Sequence, residues 1–119
     1  MKTEPTNQYM FLVRGPSCGH GNSPEKMQAH MQEVYAWIND LTTKGIFSAA
    51  QPLNPEGKLV SGPNLVSDGI AAESKEAVGG FFIVNVATME EAVRIAQTAP
   101  MFDNGGQLEV RQIASLTSN

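Results

Sequence analysis

Two histidines, eight basic residues and twelve acidic ones are the whole stock from which this 119-residue chain could build a reactive site. His30 is the natural acid–base candidate, because imidazole titrates near neutrality. It falls between Met27 and Val34, at the edge of an apolar stripe. Two readings stand for it: a ring facing a cavity, or a half-buried histidine bonded to a neighbour. Asp68, Glu73 and Lys75 form a second group in one short segment. Read as chemistry, Lys75 holds an anionic group while Asp68 or Glu73 acts as a base. Read as structure, Asp68 caps a turn beside Gly69, and Glu73–Lys75 is a surface ion pair contributing under ~1 kcal/mol. Arg14 and Arg111 either bind a ligand or meet Glu109 across a subunit boundary. Trp37 is a further ligand-binding candidate. Cys18-Gly19-His20 lacks the third and fourth ligands of a usual metal site. The surrounding glycines lack the Gly-Lys-Ser/Thr of a phosphate loop. No metal or cofactor is therefore expected, and residues 15–23 read as a loop suited to a flexible lid.

The elements that must hold these residues follow from pattern. Gln8 to Arg14 is a short apolar run stopped by Gly15-Pro16, which predicts a strand. Ser23-Pro24-Glu25 is a helix start, with Ser as N-cap and Pro at the first helical position. Met27, Met31, Val34, Ile38 and Leu41 then recur at helical steps, flanked by Trp37, and Lys44-Gly45 ends the helix. Ile46 to Ala50 is a second strand. Lys58-Leu59-Val60 and Leu65-Val66, set among Pro and Gly, read as a small hairpin. Gly79-Gly80 introduces the strand Phe81 to Val86. Thr88-Met89-Glu90-Glu91 is a capping box. Met89, Ala92, Val93, Ala96 and Ala99 carry the apolar face of the helix that Pro100 stops. Leu108 to Ile113 is the last strand. This order predicts an α+β, ferredoxin-like βαββαβ domain with a small β insertion, spanning 8–113, between a lead at 1–7 and a tail at 114–119.

Strand alternation makes both faces apolar: in the first strand Tyr9, Phe11 and Val13 point one way and Met10 and Leu12 the other, and in the later strand Phe81 and Ile83 face one way and Phe82, Val84 and Val86 the other. Two helices cover one face only. An open apolar face is rare in a soluble monomer. A homodimer through sheet faces or exchanged strands is expected, against the alternative that residues 51–79 or the tail fold over that face. The net charge of −4, with no basic cluster, excludes nucleic acid as an expected partner. No stretch reaches the ~20 apolar residues that cross a bilayer. A single Cys and a leader without a signal-like apolar core point to the cytoplasm.

Ser67-Asp68-Gly69-Ile70-Ala71-Ala72-Glu73-Ser74-Lys75-Glu76, followed by Gly79-Gly80-Phe81, resembles the signature of the YCII-related family, in its DGPF subgroup. The Ser-Pro-Glu helix start, Trp37, the Met-Glu-Glu-Ala helix and Glu109-Val110-Arg111 extend the resemblance from about Tyr9 to Ile113. Ile70-Ala71 stands where the subgroup has Pro-Phe. The resemblance implies a dimeric α/β barrel. In YCII-type proteins a His on the first helix and an Asp before the Pro ending the second form a dyad. Here Ala99 precedes Pro100, and Val34 is nearer the family's His position than His30. The dyad is thus expected to be missing. A small-molecule-binding or regulatory homodimer is the first functional expectation. Alternatives are an acid–base enzyme on a small aromatic or anionic substrate, and, from the resemblance alone, an accessory partner of an extracytoplasmic-function sigma factor.

Overall fold

The structure, a computed structural model, describes residues 6–15, 23–54, 56–69 and 77–114, without the side chains of Asp103 and Asn104. The order is β1 (Asn7–Arg14), α1 (Pro24–Thr43), β2 (Phe47–Pro52), β3 (Lys58–Gly62), β4 (Leu65–Asp68), β5 (Val78–Val86), α2 (Met89–Ala96), a 3₁₀ turn (Pro100–Asn104) and β6 (Gln107–Gln112). Four strands form one sheet in the order β2-β5-β1-β6, and every pairing is antiparallel. This is the ferredoxin-like arrangement, because each helix carries the chain past one intervening strand.

Local chemistry accounts for both helix starts. The Ser23 hydroxyl accepts from the Lys26 amide at 3.2 Å, and Thr88 Oγ1 accepts from the Glu91 amide at 3.2 Å. Glu91 reaches back to the Ala87 amide at 3.1 Å, one residue earlier than a reciprocal capping box requires. Gly45 turns left-handed (φ 75°) beyond α1, where a side chain would be strained.

The core is one cluster on one face of the sheet. Tyr9 and Phe11 of β1 and Phe82, Val84 and Val86 of β5 meet Val34, Trp37 and Leu41 of α1 and Ala92 and Ala96 of α2. Trp37 is its pivot: the ring stacks against Phe11 (centroids 6.4 Å apart, 28°) and meets Phe82 edge-on (5.0 Å, 77°). Its indole N–H donates to Thr98 Oγ1 at 2.9 Å, so the polar edge of a buried ring is satisfied.

Several expectations change. Met89 and Val93 are exposed, and Ile95 packs on the core in their place. The buried face of this eight-residue helix is Ala92 and Ala96, with Ala99 buried just beyond its end. Gly79 and Gly80 lie inside β5 rather than ahead of it. A Cβ on Gly80 would come within 2.8 Å of the Gln51 carbonyl oxygen on β2, so only glycine permits that ladder. The 3₁₀ turn after Pro100 was not expected; it delivers Met101 to the core.

Candidate functional site

A cavity of about 190 Å³, open to solvent on one side, lies under the middle of α1. Its origin is a local shortage of side-chain volume. Gly80 and Ala50 occupy sheet positions that face the helices, beside Val13. Two small residues there leave space that Phe82 fills only at one end. Met31, Val34 and Ile38 of α1 roof the space, Met101 closes another side, and Tyr35, 63% exposed, stands at the rim. His30 is the only histidine among the described lining residues. The described walls contain no carboxylate, lysine or arginine.

The other predicted site residues lie elsewhere. Trp37 lines a separate groove of about 460 Å³ between α1 and α2, with Asp40, Lys44 and Arg94 on its walls. Its donor is already engaged by Thr98, and its ring is mostly buried. Arg14 and Arg111 occupy the sheet face opposite the helices. There Arg14 Nε donates to Glu109 Oε1 at 2.6 Å, and Arg111 Nη1 donates to Glu109 Oε2 at 2.9 Å. An Arg–Glu pairing thus forms within one chain. The physical reason is register: Leu12 faces Glu109 across β1 and β6, which puts Arg14 one diagonal step away. The Arg14 guanidinium first, and the Arg111 one second, hold the Glu109 carboxyl below the usual carboxylate range.

Asp68 ends β4 with a side chain 91% exposed, and it accepts from Lys58 Nζ at 2.8 Å, while the turn it was expected to cap runs into residues outside the described ones. Glu73, Lys75, Cys18 and His20 lie outside the described residues. Among the described candidates, His30 alone reaches the cavity, and no second acid–base group converges on it. Ala99, at the position where the dyad's carboxylate is expected, is a buried core residue. Sequence reasoning missed Gly80, Ala50 and Met101. Gly79-Gly80 inside an otherwise apolar strand was the available signal, because glycine in a strand marks a close approach or a void.

The profile of the YCII-related domain matches residues 8–117, nearly the whole chain. The chain belongs to the YCII-related domain family. That membership covers all six strands and both helices, so the cavity and the Arg–Glu cluster are features of this YCII-related domain rather than of an appended segment. No curated protein matches the chain.

Proposed function

We propose that this YCII-related domain is a ligand-binding homodimer that holds a compact, largely apolar molecule in the cavity beside His30. The observation that supports this is the cavity itself, apolar on nearly every described wall. An enclosed apolar cavity of about 150 Å³ takes a benzene-sized molecule; this pocket, about 190 Å³ and open to solvent on one side, is of the size of a single aromatic ring. A neutral aromatic fits better than an anion, because no described wall offers a cation. His30 then donates or accepts one orienting hydrogen bond. Binding is favoured over acid–base catalysis because no carboxylate that would orient the imidazole stands among the described lining residues. The sigma-factor partnership and the DGPF subgroup rest on sequence resemblance, the latter on Ser67-Asp68-Gly69 and Gly79-Gly80-Phe81. A cytoplasmic setting agrees with the single Cys.

The homodimer reading is supported by the second sheet face. Met10 and Leu12 of β1 and Ile83 and Phe81 of β5 pair side by side there, and both helices pack on the opposite face. The ligand test is a titration of the protein with phenol, indole and benzoate, followed by NMR shift changes and by Tm. Phenol or indole should perturb His30, Val34 and Met101, and Ala50→Phe, which fills the space, should abolish the effect. Benzoate binding with equal affinity, or shifts confined to the groove around Trp37, would overturn the reading.

A further inference from the structure

Two helices packed side by side have axes about 8–10 Å apart. Here α1 and α2 make few close backbone approaches to each other. The bond from the Trp37 indole N–H to Thr98 Oγ1 bridges them at 2.9 Å. The groove of about 460 Å³ occupies the space left between them and is open to solvent. Leu41 of α1, Ile46 just before β2, Val86 at the end of β5 and Ile95 of α2 form its apolar floor. Leu41 and Val86 are buried, while Ile46 and Ile95 are half-buried and still offer apolar surface to an occupant. The volume falls within the range of small-molecule sites, about 300–1,000 Å³. It is also more than twice that of the cavity beside His30.

Four charged side chains border this floor, and three of them are engaged. Asp40 Oδ2 meets Lys44 Nζ at 3.1 Å. Glu91 Oε1 accepts from the Ala87 amide at 3.1 Å, at the start of α2, where a carboxylate is favoured. Arg94 lines the groove from α2 with no ion pair or hydrogen bond among the described residues. From this arrangement we propose that the α1–α2 groove is a second binding site, for a free amphipathic monocarboxylate. Its apolar body, bicyclic or medium-chain, covers Ile46 and Ile95, and its carboxylate meets the Arg94 guanidinium, whose planar fork matches a carboxylate. Lys44 on the opposite wall is a second cation for the same head. Its pair with Asp40 is exposed on both sides (60% and 58%), and such pairs are worth little, so it exchanges readily. A single negative charge suits the groove better than a phosphate, because Asp40 and Glu91 stand on the same walls and the chain carries a net charge of −4. The site is independent of the homodimer and of the ligand beside His30. The two spaces sort ligands by size and charge: a neutral single ring into the cavity without a described cation, a larger anion into the groove with Arg94.

The chain has one tryptophan, so the indole N–H of Trp37 is a single NMR reporter on the groove wall. The full ¹⁵N-labelled chain is titrated with 2-naphthoate and with 2-naphthol, its uncharged match. 2-Naphthoate should shift the Trp37 indole resonance and the amides of Ile46, Arg94 and Ile95, and bind there about ten-fold tighter than 2-naphthol. Arg94→Gln should remove that advantage, with far-UV CD and 2-naphthol affinity unchanged, because Arg94 is exposed and outside the core. Arg94→Lys should keep part of it. An unmoved indole resonance, equal binding of the two probes, or undiminished 2-naphthoate affinity in Arg94→Gln overturns the site. So do 2-naphthoate shifts centred on His30 and Met101. The phenol and indole titration reads the other cavity separately, so failure here leaves that reading standing.

Discussion

Trp37 shows how a single residue type divides between chemistry and architecture. Its stacking on Phe11, its edge contact with Phe82 and its bond to Thr98 assign it to the core. Trp37→Ala should cost about 3–5 kcal/mol in urea unfolding. Trp37→Phe keeps most of the ring contact and loses the bond to Thr98, a cost of about 1 kcal/mol. Glu109 supplies a pH-dependent test. Its folded carboxyl titrates lower than in the unfolded chain, so its contribution is complete above about pH 4.3 and fades as pH falls through the lower folded value. Wild type should therefore exceed Glu109→Gln in stability at pH 7, and the two should converge in acid. A gap that persists unchanged to low pH contradicts the ion-pair account. His30 could be singled out from residue type and helical spacing. Its separation from Asp68 could not, since spacing along the chain says nothing about the β3–β4 ribbon, paired outside the main sheet, that carries Asp68.

At the scale of elements, the caps and breakers were legible because they act locally. Ser23, Thr88, Gly45 and Pro100 each act within a turn of their own position. Thr88→Ala should cost about 1 kcal/mol, a visible loss for a helix of eight residues, and amide exchange in α2 should quicken first. Gly80 needed the neighbouring strand to be understood. Gly80→Ala places a methyl 2.8 Å from the Gln51 carbonyl oxygen, between two backbones that must separate. Strand β2 should peel from β5, seen as lost amide protection at Gln51 and Leu53, and the phenol- or indole-induced shifts proposed above should vanish. Retained protection in that variant would show the ladder can give way without cost. Helical spacing does not separate Met89 and Val93, which are exposed, from Ala92 and Ala96, which are buried, because the sheet and not the helix selects the buried face.

The whole molecule is 18 Å across its thinnest Cα dimension, the depth of one sheet and one helix layer. That two-layer plan leaves one sheet face without helices and sends one ribbon past the sheet's end. Replacing residues 58–68 with a short Gly-Ser turn should leave the thermal transition of the core nearly unchanged, because no residue of the ribbon is in the core. A loss of several degrees measured on the isolated monomer would mean the ribbon supports its own body.

Strand alternation, helical spacing and capping residues determined by themselves the element order, the two faces of each long strand and the absence of the Asp before Pro100. These are properties of neighbours along the chain, and short-range sterics and burial set them. Tertiary structure alone decided that Gly80 and Ala50 leave a cavity, that His30 borders it, that Arg14 and Arg111 share Glu109, and that Asp68 rides on a separate ribbon. Each of these depends on register between strands distant in sequence, which pattern along one chain does not encode.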